Sequence, residues 1–184
     1  MHLVAMGASL GGLKVLSTIL PSLPGDLTAA VVIVQHRKDD SDSLLDALLS
    51  RRSAWPVSEP CHGAPIVAGR VYLAPAGYHL LVEAGSFAVS TEEPVCCARP
   101  SIDVLLESVA HAYRQRAIGV VLTGSNADGA AGGALIRDLG GRLIVQDPST
   151  AEAPECPRAA LARVTDALVL SPNEIAAKLG ELCA

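Results

Sequence analysis

Three residues define the chemistry open to this chain. Ser9 lies in Gly7-Ala8-Ser9-Leu10-Gly11, His36 closes the run VIVQH, and Asp128 follows Thr123-Gly124-Ser125-Asn126-Ala127. A serine hydroxyl is a weak nucleophile at neutral pH. A histidine within hydrogen-bond reach takes its proton, and a carboxylate behind the histidine fixes its tautomer and stabilises its cation. The serine segment fits the G-x-S-x-G elbow, in which glycines permit a tight strand-to-helix turn with the serine at its apex. There the Leu10 N–H can donate to an oxyanion, and the start of the next helix adds positive potential. The turn by itself also suits a glycine-rich phosphate cradle. However, it lacks the lysine and hydroxyl of GxxxxGK[ST], and Ser9 stands where G-x-G-x-x-G needs a glycine.

Each residue also has a plain structural explanation. His36 ends an apolar run, and Asp128-Gly129 before a helix is a common N-cap. Their positions relative to the secondary structure are what join them. LVAMGA, AAVVIVQH, AIGVVLTG and GRLIVQD read as buried strands, and DALVLS reads as a last one. GLKVLSTILPSL, DDSDSLLDALLSRRS, PSIDVLLESVAHAYRQ, DGAAGGALIRDLGG, PECPRAALARV and PNEIAAKLGELC read as helices between and after them. In the second, Ser41 or Asp42 is the candidate cap. In the third, Pro100 or Ser101 stands at the start. Strands alternating with helices imply a doubly wound, mainly parallel α/β sheet with helices on both faces. Residues 57–93 depart from this rhythm. Their short alternating segments, broken by Gly, Pro and Ser, predict an antiparallel hairpin excursion. In such sheets functional groups gather beyond the carboxyl ends of the strands. Ser9, His36, Asp128 and Asp147 all leave strands at that edge.

The bulk composition limits the alternatives. A chain of 184 residues fits a single domain, 1–184. Half of it is apolar and only 3% aromatic, so the core is aliphatic. The net charge is −5 with no basic block, which argues against a nucleic-acid partner. No apolar run reaches the length of a membrane span and no secretory leader is evident, so a cytoplasmic location is expected. The five cysteines, Cys61, Cys96, Cys97, Cys156 and Cys183, show no metal or redox spacing and read as free thiols. Asp39, Asp40, Asp42 and Asp46 lie close together without His or Cys at ligand spacing, and read as a capped helix start. No cofactor and no metal are expected.

The ordered set GASLGG, VIVQH, VYLAPAGYHLLV, RPSIDVL, GVVLTGSNADGAAG and VQDPST…PRAA resembles the catalytic domain of the CheB family, the chemotaxis protein-glutamate methylesterases, over about residues 3–182. The resemblance implies hydrolysis of glutamyl methyl esters, and deamidation of some glutamines, on the cytoplasmic helices of chemoreceptors. It implies Ser9 as nucleophile, His36 as base and then acid, and Asp128 as orienting carboxylate. The backbone N–H groups of Leu10 and Ser125 would form the oxyanion hole. His79 matches a family histidine and is expected to line the cleft, whereas His62 and His111 read as surface or structural residues. Arg99, Pro100 and Ser101 match a family RPS motif, with no role assigned.

Three departures line the implied site. Leu10 replaces a usual Thr, Ser125-Asn126 replaces Met-Gly, and Glu155-Cys156 replaces Gly-Met. A non-glycine at 126 is expected to alter the turn, although Asn tolerates positive φ. The family's phosphoacceptor receiver domain is not found in this sequence, which suggests regulation of another kind. The alternative function is a catalytically weak binding module of a chemotaxis-like pathway, holding a signalling helix in the same cleft.

Overall fold

Runs of β-branched and small apolar residues buried from end to end become the central strands of the computed structural model, which describes residues 1–37 and 44–183. The strands are β1 (His2–Ala8), β2 (Ala29–Gln35), β3 (Val57–Ser58), β4 (Val71–Leu73), β5 (His79–Val82), β6 (Phe87–Ser90), β7 (Ala117–Val121), β8 (Arg142–Gln146) and β9 (Leu168–Leu170). The α-helices are α1 (Gly12–Ile19), α2 (Leu44–Arg52), α3 (Ile102–Tyr113), α4 (Ala130–Asp138), α5 (Glu155–Arg163) and α6 (Pro172–Leu182). The candidate cap at Ser41 or Asp42, and Asp39 and Asp40, lie outside the described residues. Asp46 falls in the first turn of α2.

Seven strands form one sheet in the order β3-β4-β2-β1-β7-β8-β9, and every pairing in it is parallel. Strands buried on both faces need apolar side chains on both, which explains the unbroken runs in β1, β2 and β7. One face packs against α3, α4 and α5 through Ile102, Leu105, Leu106, Ile136 and Ala160. The other packs against α1, α2 and α6 through Leu16, Ile19, Leu49, Ile175 and Leu179. This is the doubly wound α/β architecture.

The excursion is narrower than the sequence pattern implies. Among the described strands β5 and β6 alone pair antiparallel, as a separate two-stranded sheet, extended by single antiparallel bridges of Pro65 with Ser86 and of Val95 with Ala98. Val71–Leu73 instead pairs parallel with β2, and Val57–Ser58 with β4. The physical reason is burial. Val71, Tyr72 and Leu73 are all inside, so the segment behaves as a short internal strand despite the alternation around it.

β1 is the pivot of the site. Its two neighbours are β2 and β7, far apart in sequence, so their carboxyl ends come together around the turn that leaves β1. That crevice is where an open α/β sheet places its functional groups.

Candidate active site

The turn after β1 is fixed by its backbone. The Ser9 N–H donates to the Thr123 carbonyl at 2.9 Å, and the Gly12 N–H donates to the Ser9 carbonyl at 3.0 Å. Gly11 caps α1 with φ of 81°, a left-handed conformation that disfavours any side chain. Three side chains brace the turn. Gln35 Nε2 donates to the Ser9 carbonyl at 2.8 Å, and the Thr123 hydroxyl donates to the Leu10 carbonyl at 2.9 Å. Buried Gln146 in turn accepts the Thr123 N–H at 2.9 Å. Close approach from β7 depends on Gly124. A Cβ there would lie 2.4 Å from the Cys156 sulfur and 2.9 Å from Ser9 Cβ.

His36 follows β2 directly. Its N–H continues the ladder to the Ala8 carbonyl at 2.9 Å, which holds the imidazole beside the turn. Its Nε2 lies 2.7 Å from Asp128 Oδ2. Asp128 is fully buried and accepts three further bonds, from the Ser101 hydroxyl at 2.8 Å and the backbone N–H groups of Ile102 at 2.7 Å and Asp103 at 2.9 Å. Burial pushes its pKa up. The bonds from His36, Asp103, Ile102 and Ser101 outweigh this and bring it below the ordinary carboxylate value. Asp128 is therefore an anion that only accepts. His36 Nε2 is thus the donor of the bond between them.

Asp128 precedes α4 yet is bonded by the first amides of α3. Asp103, in the first turn of α3, returns the arrangement, accepting from the N–H groups of Gly129 and Gly132 at the start of α4 at 2.9 and 2.8 Å. Two carboxylates thus cross-cap two helix N-termini, where each gains from the helix dipole. Burial, with the charge of Asp128, raises the Asp103 pKa in spite of the Gly132 and Gly129 amides. The sulfur of Cys96 donates to Asp103 Oδ2 at 3.9 Å, and Cys96, Asp103 and Asp128 present ligand-type atoms within 4.8 Å of one another. The two carboxylates are already occupied by helix amides and His36.

The structure brings Ser9, His36 and Asp128 together from three adjacent strand ends. Ser9 is half-buried, and it engages its neighbours through backbone atoms. Among the described residues, the amides of Leu10 and Ser125 have no protein acceptor, and both residues are exposed. His36 separates two cavities. A cleft of about 730 Å³ is lined by Ser9, Leu10, Leu13, Lys14, His36 and Arg52. A smaller one of about 300 Å³ lies toward Cys96, Arg99, Pro100 and Asn126. Asp147 is spent elsewhere, accepting the Ser149 N–H at 2.8 Å as a local cap.

His79 does not line either cavity. It is buried, with Nδ1 accepting the Ser101 N–H at 3.2 Å and Nε2 donating to the Glu93 carbonyl at 3.1 Å, so it steadies the residue that bonds Asp128. His62 and His111 are exposed. Asn126 is not in the left-handed region, which holds only Cys96, Cys97 and Arg114 among the non-glycine residues described. Its side-chain oxygen instead accepts the Asp128 N–H at 3.1 Å and the Cys156 thiol at 3.4 Å. Two of the departures therefore touch one another. Burial pushes the Cys156 thiol up to about 11, so it acts as a neutral donor. All five cysteines are free thiols.

Sequence reasoning passed over Gln35, Asp103 and Thr123, and gave Ser101 only a place at the start of α3, which it holds as N-cap by accepting the Val104 N–H. RPSID and VIVQH were noted as motifs, but nothing in them says that Ser101 and Asp103 face Asp128 or that Gln35 bridges two turns. Among the described residues, no helix is long and apolar enough to cross a membrane.

Residues 4–179 match the model of the family described as CheB methylesterase. A Leptospira interrogans relative is 41% identical over 174 residues, covering 94% of this chain and 90% of its own length. Protein-glutamate methylesterase/protein-glutamine glutaminase 2 of Anaeromyxobacter dehalogenans is 40% identical over 181 residues, covering 98% of this chain but 53% of its own length. The chain thus spans most of one relative and about half of the other. The crystal structure of the Thermotoga maritima CheB methylesterase catalytic domain superposes with a TM-score of 0.94 at 31% identity, over 98% of each chain.

Proposed function

The chain belongs to the CheB methylesterase family, and on that premise we propose that it hydrolyses glutamyl methyl esters on chemoreceptor-type signalling helices, and the matching glutamine amides, through an acyl-enzyme on Ser9. The observation that carries this reading is the 2.7 Å bond from His36 to an ionised, fully buried Asp128. It leaves the Nδ1 lone pair as the free base of a histidine held beside the Ser9 turn.

In the proposed reaction Ser9 Oγ attacks the side-chain carbonyl carbon and its proton passes to His36 Nδ1. The charge that develops on the carbonyl oxygen is met by the amides of Leu10 and Ser125, each such donor being worth roughly 10²–10³ in rate. Asp128 stabilises the imidazolium, which then protonates the leaving methoxide to methanol, or the leaving amine to ammonia. Water, deprotonated by His36, attacks the ester of Ser9; the imidazolium returns that proton to the departing Ser9 Oγ, and a glutamate side chain is released. Signalling helices of this kind place the reaction in the cytoplasm.

Methanol release from a methylated receptor helix tests the reading. Ser9→Ala should lower turnover by roughly 10⁴–10⁶ with an unchanged fold, since residual rate comes only from the oxyanion site and binding. Wild-type turnover in that variant would overturn the mechanism. A fluorophosphonate should label Ser9 alone; a folded wild-type protein that resists labelling would favour a non-catalytic binding module.

A further inference from the structure

Ser125, whose N–H is one of the two proposed oxyanion donors, lies in a loop that is held differently on its two sides. Upstream, Gly124 is tied through its backbone to the segment that opens α5. Its N–H donates to the Ala153 carbonyl at 2.8 Å, and its carbonyl accepts the Cys156 N–H at 2.9 Å. Among the described residues, Ser125 and Asn126 make no backbone–backbone hydrogen bond. Downstream, the hold passes through one side chain. Asn126 Oδ1 accepts the Asp128 N–H at 3.1 Å and the Cys156 thiol at 3.4 Å, and Nδ2 donates to the Cys96 carbonyl at 3.4 Å. One amide thus ties the loop to Asp128, to α5 and to the turn between the bridged residues Val95 and Ala98. Cys156 has no exposure, and burial pushes its thiol up to about 11, so it stays protonated and donating at neutral pH. Its sulfur also lies directly against the upstream side, since a Cβ on Gly124 would be 2.4 Å from it.

From this geometry we propose that Asn126 is a positioning residue for the Ser125 oxyanion donor, with Cys156 as its buried partner. Backbone bonds aim the peptide on the Gly124 side, and the Asn126 side chain aims it on the other. A donor stabilises an oxyanion when it already points at the place where the charge develops, and a misplacement of about 1 Å can cost about 10²-fold in rate. The inference rests on the proposed esterase function and adds a coupling to it. Residues 126 and 156 work as one unit, so a change at either is felt through the other.

The test compares Asn126→Ala, Cys156→Ala and the double variant on a helical peptide carrying one glutamyl methyl ester. Asn126→Ala should lower kcat by about 10–100-fold and slow fluorophosphonate labelling of Ser9 in parallel. KM should change by less than about twofold, because the interaction lost is made in the transition state. The pH midpoint of kcat should match the wild type, because the bond between His36 and Asp128 remains. Cys156→Ala should cost about threefold in kcat, the worth of one neutral hydrogen bond. The double variant should be no slower than Asn126→Ala, the mark of residues that act through one another. Thermal midpoints check folding. Should Asn126→Ala not fold, Asn126→Ser keeps the local bond to the Asp128 N–H and should still show the kcat loss. A folded variant at position 126 with wild-type kcat, a loss confined to KM, or a shifted pH midpoint would overturn the positioning role, as would losses that multiply in the double variant. A wild-type protein with neither turnover nor labelling would instead refute the esterase reading, and this role with it.

Discussion

Asp128 and Ser9 stand on either side of His36 in opposite states. Asp128 has no exposure and accepts four hydrogen bonds, from His36, Ser101, Ile102 and Asp103. Ser9 is half-buried in the wall of a cleft, its backbone tied down and its hydroxyl without a hydrogen-bond partner among the described residues. One end of the proposed relay is saturated and the other is uncommitted. The difference follows from the charges each end handles. The carboxylate must stay ionised and still in a low dielectric throughout a reaction, which requires compensation built into the fold. The serine and the amides beside it meet charge only transiently, so their partners must arrive with the substrate.

Asp128→Asn should break this contrast most severely. The amide keeps the shape but presents an N–H where His36 needs an acceptor, so the imidazole adopts the wrong tautomer. We expect kcat to fall by about 10³–10⁴ with KM nearly unchanged. Steady-state methanol release, with circular dichroism to check the fold, would measure it. Asp128→Asn turnover within a few-fold of the wild type would mean that the saturated end is merely structural.

Ser101→Ala removes one of the four bonds and leaves the others. Activity should drop about tenfold, the worth of one bond to a charged acceptor, and stability by about 1 kcal/mol through the lost cap of α3. Restoration of both by Ser101→Thr would locate the effect in the hydroxyl. A smaller, purely thermodynamic effect separates the two cross-capping carboxylates. The folded pKa of Asp128 is lowered, so its stabilisation is present above the ordinary carboxylate range and is lost as pH falls through the lowered value. That of Asp103 is raised, so the folded state holds its proton more tightly and stability rises as pH falls from the raised value to the ordinary one. Asp103→Asn keeps an acceptor for Gly129 and Gly132 and should abolish that rise while sparing the acid loss due to Asp128. Denaturation midpoints across pH, compared between variant and wild type, would show identical slopes if the assignment is wrong.

The contrast also accounts for what could be read from the letters. Ser9, His36 and Asp128 were legible because each leaves a strongly patterned strand at the same edge, and strand burial is encoded in continuous apolar runs. The antiparallel excursion was legible only as a break in rhythm, because three residues such as Val71–Leu73 are too few to show which sheet they join. The bonds around Asp128 were not legible at all. They depend on α3 and α4 presenting their N-termini to each other, and they use backbone N–H groups, which every residue but proline carries. The departures misled for the same reason. Asn126 looked like a misplaced glycine, yet its side chain bridges Asp128 and Cys156, a contact visible only when residues 30 apart are brought together.

Leu10 supplies the finest probe of the uncommitted end. The residue is 55% exposed, while its carbonyl is held by Thr123 and, among the described residues, its N–H has no protein acceptor. If the turn works through its backbone, Leu10→Thr should change kcat by less than about threefold, since surface substitutions away from buried contacts cost little. The same change removes apolar area from the cleft mouth, where Leu10 and Leu13 line the approach to Ser9. Its effect should therefore fall on KM for a helical substrate and vanish for a small aryl ester that cannot reach the mouth. A large kcat change on the small ester would place the side chain at the reacting atoms and give the open end a commitment of its own.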